Sequence, residues 1–143
     1  MAVSVNPDKF IRKAVFDATN NIVVSGKTIK TFDSRLTGNS NLTEYILMTA
    51  QDKDVLKNTK CEHEWEASLL IEIYTRYSSA GNTGSRLLLN DIEQAVMDVL
   101  NPKLTIQGFA NVTQNITYET SLETVTDTDN IYRSFLRLNL TLK

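Results

Sequence analysis

The sequence predicts an α+β fold, in which a mainly antiparallel β-sheet carries two amphipathic helices packed on one face and contains long β-hairpins. Three observations support this prediction. Residues 64–77 alternate apolar and polar side chains with period two, which is typical of a strand with one buried face. Two segments, near residues 7–20 and 85–100, show the spacing of amphipathic helices instead. In the last third of the chain, apolar and polar side chains alternate again on both sides of an acidic turn.

Length and composition indicate one ordinary domain over residues 1–143. The chain is 41% hydrophobic and 22% charged, and it is long enough for a hydrophobic core without disulfides or metals. Its net charge of −2 gives no overall attraction to nucleic acid or anionic membranes. No apolar run is long enough to span a bilayer. With a lone Cys61 and no secretion signal, the sequence predicts synthesis in a reducing cytosol.

Local signals predict each element of the N-terminal half. Asn6 and Pro7 favour a helix start, because Asn accepts hydrogen bonds from free N–H groups and Pro fits the first helical position. Residues 22–32 predict one or two short strands around a turn. Residues 44–50 form a near-continuous apolar run, which predicts a buried strand. The polar segment 51–62 predicts a mobile loop or a short surface helix before the long strand.

The C-terminal half predicts a helix followed by a long hairpin. The helix begins near Ser85 and ends at Asn101-Pro102, since Pro cannot continue it. The even-numbered residues of 112–122 and of 132–142 are mainly apolar, which predicts two paired strands joined by a turn at Asp127–Asn130. The predicted buried stripe of the helix consists of Leu88, Leu89, Ile92, Ala95, Val96, Val99 and Leu100.

Three motifs suggest chemistry, and each has a simpler explanation. Cys61 and His63 are spaced to share a strand face, but the chain has no other Cys or His to complete a zinc site. Gly81–Arg86 opens a helix where phosphates often bind, yet it lacks the P-loop ending and fits an ordinary turn. Asp127–Asn130 begins like a calcium loop, but Leu138 stands where the bidentate Glu is required.

The sequence therefore predicts no catalytic residue, no cofactor and no metal site, and hence a protein that is not an enzyme. It contains no recognisable nucleophile–base pair. The densest carboxylates, Glu64, Glu66 and Glu72, alternate along the long strand and are expected on a face turned to solvent or to a partner. That strand would be about 45 Å long, more than a domain of this size needs for its own core. We interpret the excess as a ribbon that projects or pairs with another copy.

Three segments together carry a resemblance to a known family. Phe10–Asp17 resembles an opening helix, His63–Tyr74 a long strand entered from a charged loop, and Tyr118–Leu142 a C-terminal hairpin with an acidic turn. In this order, they resemble the tail terminator (tail completion) proteins of long-tailed, lambda-like bacteriophages. The resemblance covers most of the chain.

The resemblance implies a structural virion protein. Such a subunit forms a ring, typically six-fold, at the head-proximal end of the phage tail, where it ends tail-tube polymerisation and joins the tail to the neck. The implied partners are further copies of the chain, the tail tube protein and a neck or head–tail connector protein. DNA would only pass through the lumen, and no membrane is involved. The implied location is the virion, assembled in the cytoplasm of the host bacterium.

Two alternatives stay open at this point. The first is another ring protein of the head–tail connector or neck. The second, of a different class, is a small phosphate-binding module that uses the Gly81–Arg86 loop.

A closing ring needs two different complementary surfaces on each subunit. We expect the long strand and the C-terminal hairpin to supply edge pairing, with charged side chains in opposite-sign contacts. The residues expected at this interface are Glu64, Glu66, Glu72, Arg76, Asp127, Asp129, Arg133 and Arg137.

Overall fold

The computed structural model describes residues 5–33, 42–58, 63–78, 86–126 and 128–143. In chain order the elements are α1 (Asp8–Thr19), β1 (Ile22–Val24), β2 (Lys27–Phe32), β3 (Glu44–Asn58), β4 (His63–Ser78), α2 (Arg86–Leu100), β5 (Asn111–Val125) and β6 (Asp129–Leu142).

The six described strands form one sheet in the order β1-β2-β3-β4-β6-β5, and the two helices pack on one face of it. The neighbouring strands are antiparallel except β2 and β3, which are parallel. The predicted α+β class is confirmed.

The N-terminal elements form as their local signals predict. The side chain of Asn6 accepts a hydrogen bond from the N–H of Asp8 at 3.0 Å, and α1 begins there. The turn between β1 and β2 places Ser25 and Gly26 at φ values of 50° and 77°. Two successive positive φ values suit a tight hairpin, and Gly adopts such a value without steric cost.

The hydrophobic core lies between the helices and the sheet face made by alternate residues of β4 and β6. The register of β4 with β6 runs without interruption from Trp65 opposite Leu142 to Ser78 opposite Asp129. Along it, Leu69, Ile71 and Ile73 are completely buried. The helix residues that close this core are Ile11, Val15, Leu89, Ile92, Val96 and Leu100.

The prediction of a loop or short helix after residue 50 is wrong as far as the structure describes that segment. Residues 51–58 continue β3, which pairs with β4 as far as Asn58 opposite His63. The polar composition of this segment agrees with its exposure to solvent. Even its apolar residues Val55 and Leu56 are about half exposed, at 47% and 49%. A long partner strand supplies backbone hydrogen bonds, and this tertiary contact outweighs the weak strand propensity of Gln, Asp and Lys.

The prediction that the sheet face opposite the helices is polar is wrong at the start of β3. Leu47 is 1% exposed there and Tyr45 8%. The ring of Tyr45 stacks on Tyr74 with centroids 4.4 Å apart and meets Phe32 edge-on. The apolar run at residues 44–50 is therefore buried on both faces of β3. A continuous apolar run, unlike an alternating one, places apolar side chains on both faces of its strand.

The simple alternation predicted for β5 is also wrong, because its register shifts twice. A shift between Tyr118 and Thr120 inserts one residue, Glu119, into the strand. Tyr118 therefore lies opposite Leu136 on the helix face, whereas Leu122 lies opposite Arg133 on the other face. Both side chains are exposed, at 57% and 48%. Bulges of this kind are common in strands at the edge of a sheet.

Replacing Ile71 tests the central position of β4. We expect Ile71→Ala to lower the free energy of unfolding by about 2–5 kcal/mol and Ile71→Val by about 0.5–1.5 kcal/mol, because the site is sealed and cannot collapse freely. The exposed control Leu122→Ala should stay within about 0.5 kcal/mol of the parent. Urea denaturation followed by circular dichroism measures all three. Equal losses at Ile71 and Leu122 would contradict the burial described above.

Candidate assembly surfaces

The fold brings the charged residues predicted at an interface to one side of the sheet. Even-numbered residues of β4 and odd-numbered residues of β6 share the face turned away from the helices, as their register shows. This places Glu64, Glu66, Glu72, Arg76, Asp129, Arg133 and Arg137 on that face. Asp127 lies outside the described residues. These side chains nevertheless differ in their exposure to solvent, since some are buried and others are exposed.

Glu72 contradicts its predicted position on a solvent or partner face. Its side chain is completely buried, and its carboxylate Oε1 lies 3.5 Å from Nε of Arg133. Leu47 and Phe135 are its direct cross-strand neighbours. The guanidinium of Arg133 also lies 6.0 Å from the ring centre of Tyr74, within range of a cation–π contact. The pair therefore forms within one chain, with Glu72 in the interior and Arg133 32% exposed.

Arg137 likewise makes its contacts within the chain. Its Nε donates to Glu119 Oε1 at 2.7 Å, and its Nη1 donates to Ser68 Oγ at 3.1 Å. Asp52 lies 3.9 Å away, with most of its side chain exposed. The guanidinium thereby connects side chains from four adjacent strands, β3, β4, β6 and β5. Its role is to hold the outer strands in register.

The remaining predicted residues are more accessible or serve the turns. Glu66 is exposed and lies directly opposite Asp54 of β3, so two like charges face each other across the strands. Glu64 and Arg76 are half-buried, and the backbone N–H of Arg76 donates to the carbonyl of Thr43. Asp129 closes the hairpin turn through hydrogen bonds of its backbone with Thr126.

A groove on the outer side of α1 was not predicted from the sequence. Lys9, Lys13 and Phe16 of α1 line it together with Met48 of β3, and its volume is about 420 Å³. Arg12 anchors the helix at this place: its Nε donates to Asp33 Oδ1 at 2.8 Å, and its other nitrogens reach β3. We call the exposed side of α1 that carries Lys9 and Lys13, together with this groove, the α1 flank.

A second groove lies between α2 and β5. Gln94, Met97 and Asp98 of α2 face Ile116 of β5 across a volume of about 370 Å³. Gln114 of β5 lies at the C-terminal end of α2, where its side-chain amide donates to the backbone carbonyls of Leu100 and Pro102. We call the exposed side of α2 that carries Asp91 and Asp98, together with this groove, the α2 flank.

Arg86 and Glu123 tie the other end of α2 to β5. Arg86 Nη2 lies 3.1 Å from Glu123 Oε2, and its guanidinium lies 5.6 Å from the ring centre of Tyr132. The Gly81–Arg86 motif is otherwise outside the described residues, and so is Cys61 of the predicted Cys61–His63 pair. Within the described residues, no group of three or more His, Cys, Asp and Glu side chains is arranged to hold a metal ion.

Two strand edges are open in the part of the chain that the structure describes. β2 pairs with β3 only at residues 45–47, so no described strand lies beside β3 from Met48 onward. Arg12 donates to the carbonyls of Met48 and Thr49, so the open part of this edge begins after Thr49. β5 is the last strand of the sheet on the other side. Open edges present unpaired backbone N–H and C=O groups, which makes them sites of pairing with another chain.

The comparisons with known proteins bear on the fold. No model of a protein family matches the sequence, and neither does any curated protein. Among solved structures, the chain is similar to a chain from the virion of a native gene transfer agent particle, with a TM-score of 0.64 and 13% sequence identity. The match covers 96% of this chain and 99% of that one. At this identity the likeness shows a shared fold over nearly the whole length.

Neither helix within the described ranges combines the length and the apolarity needed to cross a bilayer.

Removing the cation beside buried Glu72 should be costly. We expect Arg133→Met to lower the free energy of unfolding by about 1–3 kcal/mol, because it takes away a charged neighbour of a carboxylate that water does not reach. The matched change Arg137→Met should cost less, about 0–1 kcal/mol, since water reaches the carboxylate partners of Arg137 but not Glu72. Urea titrations of both variants measure the difference. A larger loss at Arg137 would show that the buried pair contributes little.

Tyr77 gives the fold a dependence on alkaline pH. Burial raises the pKa of its hydroxyl above 10.0, and the nearby Glu44 carboxylate and Tyr132 raise it further. The folded state therefore holds this proton more tightly than the unfolded state. The protonated hydroxyl contributes fully to the free energy of unfolding below pH 10, and this contribution is lost as the pH rises through the raised pKa. Urea midpoints measured between about pH 9 and pH 11 should fall less steeply in Tyr77→Phe than in the parent. Identical slopes would contradict the shift.

Proposed function

We propose that the chain is a structural protein of a phage-like virion and forms a ring at the head-proximal end of the tail. In this position the ring ends the polymerisation of the tail tube and joins the tail to the neck. The observation that carries the proposal is the fold shared, over nearly the whole length of both chains, with a chain from a gene transfer agent virion. The order of elements that resembles the tail terminator family supports the specific position.

The surfaces of the subunit support assembly rather than catalysis. A ring subunit needs two different complementary surfaces, and this chain offers two flanks and two open edges that differ in charge and shape. Its most connected polar side chains, Arg12, Gln114 and Arg137, bind neighbouring elements of the same chain. Their contacts stiffen the framework that presents those surfaces, which is a structural role.

The proposed partners follow from the position in the virion. Copies of the chain form the ring, six-fold as in the family that it resembles, and its two rims contact the tail tube protein and a neck protein. DNA passes through the lumen without being held, since grip on DNA depends on basic contacts with phosphates and the chain carries a net charge of −2. Assembly takes place in the cytoplasm of the host bacterium.

Imaging and native mass spectrometry test this function. We expect the purified chain, alone or with tail tubes from the same particles, to form closed rings, and a tagged copy to label the junction of head and tail. Particles that lack the chain should carry tubes of uncontrolled length and detached heads, because nothing caps the growing end. A ring on the head side of that junction, with tube length unchanged, would identify a connector protein instead. A strict monomer in the presence of tubes would overturn the ring.

A phosphate-binding role is tested in the same preparation. Arg86, the described residue of the Gly81–Arg86 motif, is already paired with Glu123, so we expect no rise in melting temperature with phosphate or nucleotides. A concentration-dependent rise would support the phosphate-binding module in place of the ring protein.

A further inference from the structure

We infer that copies of this chain join head to tail by continuing the sheet: the open edge of β5 and the α2 flank of one copy dock against the open edge of β3 and the α1 flank of the next. The inference rests on the proposed function in one respect, namely that the chain assembles with itself into a ring. It adds which surfaces meet and in which orientation.

Strand directions make the two open edges compatible. β5 is antiparallel to β6, β6 to β4, and β4 to β3, so β5 and β3 run in opposite directions within one subunit. A second copy in the same orientation, with its helices on the same side, therefore places its β3 antiparallel to the β5 of the first. Antiparallel pairing of this kind extends a sheet without changing either subunit.

Both edges expose apolar side chains beside their free backbone groups. On β3, Val55 and Leu56 are 47% and 49% exposed. On β5, Tyr118 is 57% exposed and Val125 67%. Val55 and Tyr118 both lie on the helix face of the sheet, opposite Trp65 and Leu136 respectively. Pairing of the two edges removes apolar surface from water at the same time as it satisfies backbone groups.

The charges of the two flanks are complementary. Lys9 and Lys13 are exposed on α1, and within the described residues neither takes part in an ion pair. Asp17 is exposed one turn after Lys13, so the three side chains together carry a net positive charge. Asp91 and Asp98 are exposed on α2.

The α1 flank borders β3 at Met48, and the α2 flank borders β5 at Ile116. Edge-to-edge docking therefore brings the α1 flank of one copy beside the α2 flank of the next. Opposite charges then face each other along the new contact.

The same charges disfavour the two-fold alternatives. Pairing of β5 with a second β5 would bring two acidic α2 flanks together, and pairing of β3 with β3 would bring together two basic α1 flanks. Like charges that face each other across an interface suppress that association. The head-to-tail arrangement is the one in which every pair of flanks is opposite in sign, and it is also the arrangement that can close into a ring.

Charge reversal with rescue tests the contact. We expect Lys9→Glu/Lys13→Glu and Asp91→Lys/Asp98→Lys each to raise the concentration for half-assembly about ten- to hundredfold, since each creates like-charge contacts. The chain that carries all four changes should return to within about threefold of the parent, because opposite charges meet again. Native mass spectrometry over a concentration series measures ring population, and circular dichroism confirms that each variant is folded. Lys30→Glu is the matched control, since Lys30 is exposed on β2 away from both flanks.

Cysteine cross-linking locates the edges directly. In a Cys61→Ser background, Val55→Cys and Tyr118→Cys in one chain should give a ladder of covalent oligomers with a short bis-maleimide. Either single variant alone should give none, and a mixture of the two single variants should stop at dimers. Efficient cross-linking of Tyr118→Cys with itself would mean a two-fold β5 contact and would overturn the inference.

The two levels of failure are distinguishable. If the parent forms no ring under any condition, the proposed function itself fails. If the parent forms rings while folded charge-reversed variants assemble normally, or the fourfold variant is not rescued, only the head-to-tail contact described here fails.

Discussion

The uninterrupted pairing of β4 with β6 is the constraint on which the rest of the structure depends. Because side chains alternate along a strand, a slip of one residue in β4 would turn Leu69, Ile71 and Ile73 away from the face that carries Leu136 and Leu138 of β6. The helices can bury only one such face, so the register is fixed by the hydrophobic effect over the full length of both strands. The outer strands then take their positions from these two.

The lengths of the elements explain why the outer edges stay open. α2 has 15 residues and spans about 22 Å, roughly half the length of the strands beneath it. The segment that follows it covers the rest of the central face, where Ile106 is buried and Phe109 meets Phe10 of α1. α2 contacts β4 and β6, α1 contacts β2 and β3, and Ile116 of β5 packs against the core. Beyond these contacts, Val55 of β3 and Tyr118 of β5 stay about half exposed, at 47% and 57%.

Much of the fold follows from local patterns in the sequence. Asn6 and Pro7 set the start of α1, the apolar spacing of α2 sets its buried side, and strict alternation sets the faces of β4 and β6. The sequence predicts these features because each depends on residues that are close in the chain or on a regular spacing of apolar residues. Local patterns of this kind did not predict the extension of β3. Its residues Gln51–Asn58 are polar, and they form a strand because β4 already offers them a partner.

For the candidate surfaces too, some features follow from the sequence alone and others depend on tertiary contacts. By itself the sequence determined which residue types occur on each strand and that Glu72, Arg133 and Arg137 share one face, since alternation along a strand is fixed by backbone geometry. Only the tertiary structure decided that Glu72 is buried against Arg133, that Tyr118 and Leu122 lie on different faces of β5, and that α1 and α2 present flanks of opposite charge. Burial, bulges and the juxtaposition of distant helices depend on contacts between residues far apart in the chain, which no local pattern encodes.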